Sequence, residues 1–234
     1  MTAEDIRKRL RELENKEKAK ILQGFFKTGP GQYGEGDLFL GIPVPRLRKL
    51  CQESGDMALG QVEALLKSAV HEERLLALLM LIRKYNEGDQ SAKRKIYTLY
   101  MKSLRWVNNW DLVDLSAPSI VGDFLMGRSR IPLYRLAHSS ALWKRRIAIL
   151  ATFRFIKGQH FDETLRISEI LLRDKEDLIQ KAVGWMLREV GKRDRAAEEA
   201  FLKEHYRQMP RTMLRYAIER FPPAKKELFM KGRI

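Results

Sequence analysis

Two groups of side chains in this sequence combine aromatic rings and charges at helical spacing. In the first group, Trp106, Trp110 and Asp114 follow one another at intervals of four residues. Asn108 or Asn109 is a suitable N-cap, which would place Trp110 and Asp114 on one face of the first turns of a helix. A carboxylate next to an indole suits a positively charged reactant, because both groups attract cations. The alternative interpretation is a core tryptophan with an acid that supports the helix terminus.

The second group consists of Lys181, Trp185, Arg188 and Lys192, spaced i, i+4, i+7 and i+11. A core stripe would be apolar, and a solvated charged face would leave the tryptophan exposed. A surface that binds nucleic acid accounts for all four residues, because such sites interleave aromatic and cationic side chains. The spacing therefore favours a binding face on this helix.

The overall charge indicates the same class of partner. Lys and Arg number 45 against 30 Asp and Glu, which gives a net charge of +15 and a pI of about 10.0. A phosphate backbone is the commonest partner of so large a cationic excess. A membrane surface is the weaker alternative, because the basic residues recur along the whole chain rather than on one amphipathic helix.

The remaining composition excludes several other kinds of site. The single cysteine, Cys51, excludes a disulfide framework and a cysteine-based zinc site, and the four histidines lack metal-ligand spacing. We therefore expect neither a metal nor a cofactor. The N-terminus shows no apolar stretch typical of a signal peptide, and no run of residues is apolar enough to cross a membrane. These features predict a cytoplasmic protein.

Helical periodicity runs through nearly the whole chain, and strand alternation is almost absent. A glycine-rich stretch over 28–36 separates two short helices within 3–27 from a helix that Pro43 and Pro45 open. This stretch lacks the Gly-Lys-Ser/Thr of a phosphate-binding loop, so we interpret it as a flexible connection. Further helices are predicted at 58–68, 71–86, 89–103, 109–117, 119–126, 130–138, 141–156, 161–173, 176–191, 194–207, 210–220 and 223–232, with Pro118, Pro132, Pro210 and Pro222-Pro223 at breaks.

The helix starts repeat along the chain. Corresponding positions at Arg74, Trp110, Arg146 and Lys181 lie 36, 36 and 35 residues apart. A two-helix unit of about 35–45 residues is typical of HEAT-like or armadillo-like solenoids, whose units stack because none can bury its apolar face alone. We therefore predict an all-α fold, a HEAT-like (armadillo-type) helical-repeat superhelix that forms a single domain over 1–234. Its equivalent helices should line a concave basic groove and bring the two groups to one surface.

Four segments of the chain resemble the AlkD family of DNA alkylation-repair glycosylases, which are HEAT-like superhelices. The resemblance extends from about residue 20 to residue 220, and its last segment is the most specific. The segments are Phe39-Leu40-Gly41-Ile42 through Pro45 to Arg48, Asn109-Trp110-Asp111-Leu112-Val113-Asp114 with Gly122-Asp123, Trp143-Lys144-Arg145-Arg146-Ile147-Ala148-Ile149-Leu150, and Ile179-Gln180-Lys181-Ala182-Val183-Gly184-Trp185-Met186-Leu187-Arg188-Glu189.

The resemblance implies a role for each residue of the two groups. Asp114 matches the family's catalytic carboxylate, and Arg146 matches the arginine of the same site. Trp110 and Trp185 match the two tryptophans that flank the lesion on the concave face. Phe26 takes the place of an aromatic tyrosine near the lesion. The basic residues expected to contact DNA are Arg48, Lys144, Arg145, Arg154, Lys181, Arg188 and Lys192.

The function that this resemblance implies is base excision repair. A purine alkylated at N3 or N7 carries a positive charge and leaves as a neutral base, so its departure needs no general acid. One carboxylate can stabilise the oxocarbenium-like sugar and orient a water, and indole faces attract the cationic base. We therefore expect a monofunctional DNA glycosylase that hydrolyses the N-glycosidic bond of N3- or N7-alkylpurines in double-stranded DNA. It should act as a monomer and associate with the nucleoid when on DNA.

Two alternatives remain at this point. One is a non-catalytic HEAT-like protein that binds branched or distorted DNA, and the other is a protein-interaction scaffold. The presence of Asp114 together with Trp110 and Trp185 favours the enzyme over the first alternative. The net charge of +15 favours a nucleic-acid partner over the second.

Overall fold

The computed structural model describes residues 1–234, and its regular structure is helical, with one isolated β-bridge. The all-α prediction is therefore confirmed. None of the helices has the length and apolar character needed to cross a membrane. The α-helices are α1 (Ala3–Glu12), α2 (Lys16–Phe25), α3 (Val44–Glu53), α4 (Leu59–Leu66), α5 (His71–Glu87), α6 (Gln90–Lys102), α7 (Trp110–Ser116), α8 (Asp123–Leu125), α9 (Ile131–Ala137), α10 (Leu142–Ala151), α11 (Phe153–Lys157), α12 (Asp162–Ile170), α13 (Asp177–Gly191), α14 (Arg195–His205), α15 (Arg211–Ala217) and α16 (Pro223–Lys231).

The chain forms two compact units. Unit 1 comprises Met1–Ser116 and unit 2 comprises Ala117–Ile234. The single domain over 1–234 stays a prediction. A π-helical segment, Ala117–Gly122, begins unit 2, and short 3-10 helices occur at Leu104–Trp106 and Ile218–Arg220.

Unit 1 is organised around α5. Every residue from Leu75 to Leu81 is buried, because α3, α4, α6 and α7 all pack against this helix. A helix that is apolar on all sides has to be central in this way. Helix α1, which starts at a capping box formed by Thr2 and Asp5, packs against α4.

The connection between α2 and α3 is held against the start of α5. It contains the glycine-rich stretch 28–36 and continues into Leu38, which forms the isolated bridge. The carbonyl oxygen of Leu38 accepts a hydrogen bond from the N–H of His71 at 2.8 Å. Gly41 follows with a φ of +76° and with neighbouring backbone where a Cβ would stand, so this turn requires glycine. The connection thereby places Asp37 next to the N-terminus of α5.

Unit 2 is organised around α10 and α13, which pack against each other. Helices α9 and α12 pack on α10, and α14 and α15 pack on α13. Gly184 lies where α13 and α15 meet, and a Cβ at this position would overlap the carbonyl oxygen of Met213. The absence of a side chain at Gly184 therefore allows the close approach of these two helices.

Two predicted helix boundaries differ from the structure. The sequence predicts a break at Pro118, yet this residue lies inside the π-helical segment that directly follows α7. The wider π turn accommodates a residue that has no N–H to donate. The predicted helix 141–156 is instead divided into α10 and α11 at Thr152. The Thr152 hydroxyl donates to the carbonyl oxygen of Ile149 at 2.7 Å, and such side-chain bonds to the backbone bend helices.

The helices that carry the repeat are close to their predicted spacing of about 36 residues. Helices α5, α7, α10 and α13 begin at His71, Trp110, Leu142 and Asp177. In each unit the second helix of a pair packs beside these central helices, as in α5 with α6 and α13 with α14. The structure is thus consistent with the predicted helical repeat.

Candidate functional site

The first turn of α7 carries the first group of candidate residues. Asn109 is buried, and its side-chain oxygen accepts a hydrogen bond from the N–H of Trp110 at 2.9 Å. Asp111 Oδ1 accepts a hydrogen bond from the N–H of Leu112 at 2.9 Å. Both side chains thus accept a hydrogen bond from a backbone N–H group of the first turn of α7. They fix Trp110 at the first helical position, with Asp114 one turn further on.

Trp110 lies at the top of a stack of aromatic rings. Its indole stacks on the Phe26 ring with a centroid distance of 5.2 Å and an interplanar angle of 13°. Phe26 stacks in turn on Phe39 at 5.0 Å, and Phe39 stacks on the His71 ring at 4.5 Å. The stack covers one face of the indole, while Trp110 as a whole stays only half-buried. Trp110 is therefore rigidly backed and partly accessible.

The exposed aromatic residue next to Trp110 is Phe25 and not Phe26. Phe26 is only 8% exposed and supports the indole of Trp110 from one side, so its expected position near a lesion stays a prediction. Phe25 is 62% exposed, and its ring lies edge-on to Trp110 at a centroid distance of 5.9 Å. Phe25 thus lies at the surface, while Phe26 is buried and supports the indole of Trp110.

Asp114 lies one helical turn after Trp110, on the same face of α7, and is half-buried. It is near the buried hydroxyl of Tyr100, which is 2.9 Å from Ser116 Oγ. Burial raises the pKa of Tyr100, and the negative charge of Asp114 raises it further. The carboxylate of Asp114 and the indole of Trp110 therefore lie one turn apart on one side of α7, both half-buried.

A buried ionic network lies beneath this face. His71 is 2% exposed and faces a carboxylate at each ring nitrogen, with Nε2 2.8 Å from Asp111 Oδ2 and Nδ1 3.3 Å from Asp37 Oδ2. Arg74 Nη2 lies 2.6 Å from the same Asp37 oxygen. Asn108 Nδ2 donates to the other Asp37 oxygen at 3.3 Å. The network joins the α2–α3 connection, the start of α5 and the start of α7.

The network shifts the protonation of its members in opposite directions. Burial alone would lower the pKa of His71, but the hydrogen bonds to Asp111 and Asp37 outweigh it and raise the pKa above the ordinary 6.5. Burial alone would raise the pKa of Asp37, but His71 and Arg74 outweigh it and lower the pKa below 3.8. A protonated imidazole between two carboxylates is the form that these shifts favour.

The sequence-based predictions do not include this buried network. Its signal was the polar run His71-Glu72-Glu73-Arg74, which directly precedes the apolar stretch 75–82 of α5, and all four residues are buried. Buried charges need partners, so the run indicated acids or amides elsewhere in the chain. The identity of those partners depends on packing over more than 30 residues and cannot be read from spacing.

In unit 2, helix α10 carries three of the predicted cations in different environments. Lys144 is exposed. Arg145 Nε lies 2.6 Å from Asp174 Oδ2, and its guanidinium also donates to the carbonyl oxygen of Ser140 at 2.7 Å. Arg146 is 5% exposed, and its guanidinium donates to the carbonyl oxygen of Leu178. Of the three, only Lys144 is freely accessible from solvent.

Each cation of the predicted stripe on α13 has an acidic partner. Trp185 is half-buried, and its Nε1 donates to Glu189 Oε1 at 3.2 Å. Lys192 Nζ lies 2.5 Å from the same oxygen. Burial alone would raise the pKa of Glu189, but the hydrogen bond from Lys192 and its charge outweigh it and lower the pKa. The other ion pairs are Lys181 with Asp177 and Arg188 with Glu219.

The two remaining cations of the prediction are both at the surface. Arg154 Nε lies 2.7 Å from Asp123 Oδ1, with its side chain 41% exposed. Arg48 is exposed on α3. Within unit 1 the structure brings together Trp110 and Asp114, and within unit 2 it joins Trp185 to Lys192 through Glu189. The roles assigned to all these residues stay predictions.

Comparison with known proteins identifies relatives of the whole chain. The sequence model of the family described as DNA alkylation repair enzyme matches residues 6–221. A solved structure described as a predicted DNA alkylation repair enzyme from Enterococcus faecalis is 19% identical, with a TM-score of 0.69, and the match covers 90% of this chain and 97% of that one. Comparison with curated protein sequences gave no match.

A second solved structure extends the same likeness. AlkD2 from Streptococcus mutans is 16% identical with a TM-score of 0.54, and the match covers 89% of this chain and 99% of that one. These similarities establish that the fold of this chain is that of the AlkD-type structures. The predicted all-α helical-repeat fold is thereby confirmed, while the concave basic groove stays a prediction.

Proposed function

The chain belongs to the family of DNA alkylation repair enzymes, and from this membership we propose that it is a monofunctional DNA glycosylase. Its substrate in this proposal is duplex DNA that contains a purine alkylated at N3 or N7. The observation that carries the proposal is the placement of Trp110 and Asp114 one turn apart on α7, with the indole backed by the Phe26 stack. An aromatic face and a carboxylate at this spacing suit a reactant that carries positive charge.

The proposed reaction is hydrolysis of the bond between C1′ of the deoxyribose and the alkylated purine. The bonding electrons leave with the base, which changes from a cation to a neutral molecule. Asp114 stabilises the positive charge that develops on the sugar and orients a water toward C1′. The water adds its oxygen to C1′ and gives its proton to Asp114 or to solvent. No covalent intermediate between the protein and the sugar is required.

The indole of Trp110 contributes selectivity in this proposal. A cation over an indole face gains about 0.5–2 kcal/mol, depending on how far the pair is desolvated. A neutral purine gains less from the same face, so the charged lesion is favoured. Phe25, exposed and edge-on to Trp110, enlarges the aromatic surface that a base can meet.

Unit 2 is proposed to supply further contacts to DNA. Trp185 is the second aromatic contact. Arg146 is 5% exposed and donates to the carbonyl oxygen of Leu178, so a contact between its guanidinium and a phosphate requires that this hydrogen bond is exchanged for one to DNA. Arg145 is better explained as a structural residue, because Asp174 and nearby carbonyl oxygens already occupy its guanidinium. The proposed phosphate contacts are Arg48, Lys144, Arg154, Lys181, Arg188 and Lys192, of which the last four would exchange an acidic partner for phosphate.

The test is release of methylated purine from treated duplex DNA, measured by chromatography. The wild-type protein should release the base, and Asp114→Asn should reduce the rate by about 100-fold or more, which is the usual cost of losing one stabilising group at the reacting centre. DNA binding by Asp114→Asn, measured on an unmodified duplex, should stay close to that of the wild type. Asp56→Asn is the matched control, since Asp56 is exposed and pairs only with Lys84 on the surface.

Each result has a clear meaning. Equal rates for Asp114→Asn and the wild type would show that Asp114 has no role in the chemistry. Absence of base release by the wild type, with binding to branched or distorted duplexes retained, would instead favour the non-catalytic DNA-binding alternative.

A further inference from the structure

The buried imidazole of His71 is coupled to the α7 site by two separate routes. Its Nε2 lies 2.8 Å from Asp111 Oδ2, and Asp111 directly follows Trp110 in the chain. Its ring also packs at 4.9 Å from Phe26, which stacks on the Trp110 indole at 5.2 Å. A movement of His71 would therefore reach Trp110 through the backbone and through the stack.

We propose that His71 is a positioning residue: bridging Asp37 and Asp111, its imidazolium holds the first turn of α7 and thus sets the placement of Trp110 and Asp114. This inference rests on the proposed function of these two side chains. It assigns to His71 a task that acts through neighbours, since the ring is buried and cannot touch a substrate.

The bridge requires both ring nitrogens to carry protons. A neutral imidazole has one N–H, so one carboxylate would face a bare nitrogen lone pair. The charged groups that face His71 are Asp37 from the α2–α3 connection, Asp111 from α7 and Arg74 from α5. Arg74 lies 2.6 Å from Asp37, which leaves Asp111 as the carboxylate most dependent on His71.

The neighbouring acids do not provide an alternative anchor. Glu72 accepts hydrogen bonds from the backbone N–H groups of Leu40 and Gly41, and Glu73 accepts from Arg7. Loss of one His71 proton would leave one ring nitrogen bare against a carboxylate, so either the bond to Asp37 or the bond to Asp111 is lost. Either loss breaks the bridge that joins the α2–α3 connection, through α5, to the first turn of α7.

The expected pH dependence follows from the direction of the His71 shift. Because the pKa of His71 in the folded protein lies above 6.5, the bridge is complete below that pH and is lost as the pH rises through the folded value. The rate of base release should therefore fall on the alkaline side with the titration of His71, while the affinity for unmodified DNA changes little.

The experiment compares wild type, Asp111→Asn and the control Asp56→Asn over a pH series. The titration of His71 is followed by NMR of its ring nitrogens, assigned with His71→Gln, and kcat and KM for base release are measured in parallel. Asp111→Asn should lower the pKa of His71, move the alkaline limit of kcat by the same interval, and reduce kcat at pH 8 by about tenfold or more, since small misplacements at a reacting centre have large effects. The KM of Asp111→Asn should equal that of the wild type. The control Asp56→Asn should match the wild type in kcat, in KM and in the titration of His71.

Three outcomes separate the possibilities. If Asp111→Asn moves the titration of His71 but leaves the kcat profile in place, the positioning role is wrong while the glycosylase function stands. If the wild type releases no base, the proposed function fails, and the coupling is then judged from the NMR signal of the Trp110 indole N–H, recorded in the same pH series. An indole signal that follows the His71 titration supports the coupling, and one that does not overturns it.

Discussion

Replacing Glu72 by alanine should destabilise unit 1 strongly, because one buried carboxylate binds a whole turn of backbone. Oε1 accepts hydrogen bonds from the N–H of Gly41 at 2.8 Å and of Ile42 at 3.3 Å. The N–H of Leu40 lies 3.0 Å from both carboxylate oxygens. This turn leads from the aromatic stack into α3, so its loss would also loosen Phe39.

The loss of unfolding free energy in Glu72→Ala follows from these three hydrogen bonds. A hydrogen bond to a charged group contributes about 1.5–3 kcal/mol, and an unpaired buried donor costs about 1–3 kcal/mol. The hydrogen bonds from Leu40 and Gly41 are each assigned the lower end of the range for charged groups, about 1.5 kcal/mol. The longer bond from Ile42 contributes less than either of them. We therefore expect Glu72→Ala to lower the free energy of unfolding by about 3–5 kcal/mol. Glu72→Gln keeps one acceptor oxygen, so its loss should be smaller.

The assay is urea denaturation of the wild type and both variants, followed by circular dichroism. The matched control is Glu63→Ala, which removes an exposed ion pair with Lys67 at 2.6 Å. That change should alter the free energy of unfolding by less than about 1 kcal/mol, as surface pairs usually do. A loss of under about 1 kcal/mol for Glu72→Ala would show that Glu72 does not hold this turn, since the three N–H groups would then find equal partners without it.

Two further changes test the packing of unit 2. Burial raises the pKa of Glu198 from 4.5 to about 8, so its folded form keeps a proton that the unfolded chain releases between these values, and the free energy of unfolding falls as the pH rises through this window. Glu198→Gln removes this effect, so in urea denaturation the variant should gain stability relative to the wild type from about pH 5 to about pH 8. If the difference in unfolding free energy between variant and wild type is the same at the two pH values, Glu198 titrates normally. Gly184→Ala should lower the free energy of unfolding by about 1–3 kcal/mol, because its Cβ would overlap the carbonyl oxygen of Met213. The control Gly24→Ala, with open space around the added methyl group, should be neutral or raise stability by about 0.5 kcal/mol, and equal effects of the two substitutions would contradict the close approach of α13 and α15.

Much of the helical architecture could be predicted from the sequence. Apolar periodicity, proline positions and capping residues identify the helices, because these signals act within a few residues along the chain. Helix α5 is predicted at 71–86 and occupies His71–Glu87. The predictions that differ involve backbone hydrogen bonding, at Pro118 in the π-helical segment and at Thr152 between α10 and α11.

Some features of the candidate site could likewise be predicted from the sequence, while others depend on packing. The positions of Trp110 and Asp114 one turn apart follow from the sequence alone, because residues four apart share a helix face. The sequence also shows the cations of the α13 stripe. It does not show that Arg188 pairs with Glu219, which lies 31 residues away, since that pairing depends on how α15 packs on α13.

The packing of the helices determines which charges are partnered and which aromatic rings are covered. Phe25 and Phe26 are adjacent and chemically identical, yet one is exposed and the other supports Trp110. His71 finds its two carboxylates 34 and 40 residues away. Local sequence patterns fix the face of a helix on which a side chain lies. The neighbours of that face come from distant segments, and only the packing of those segments determines them.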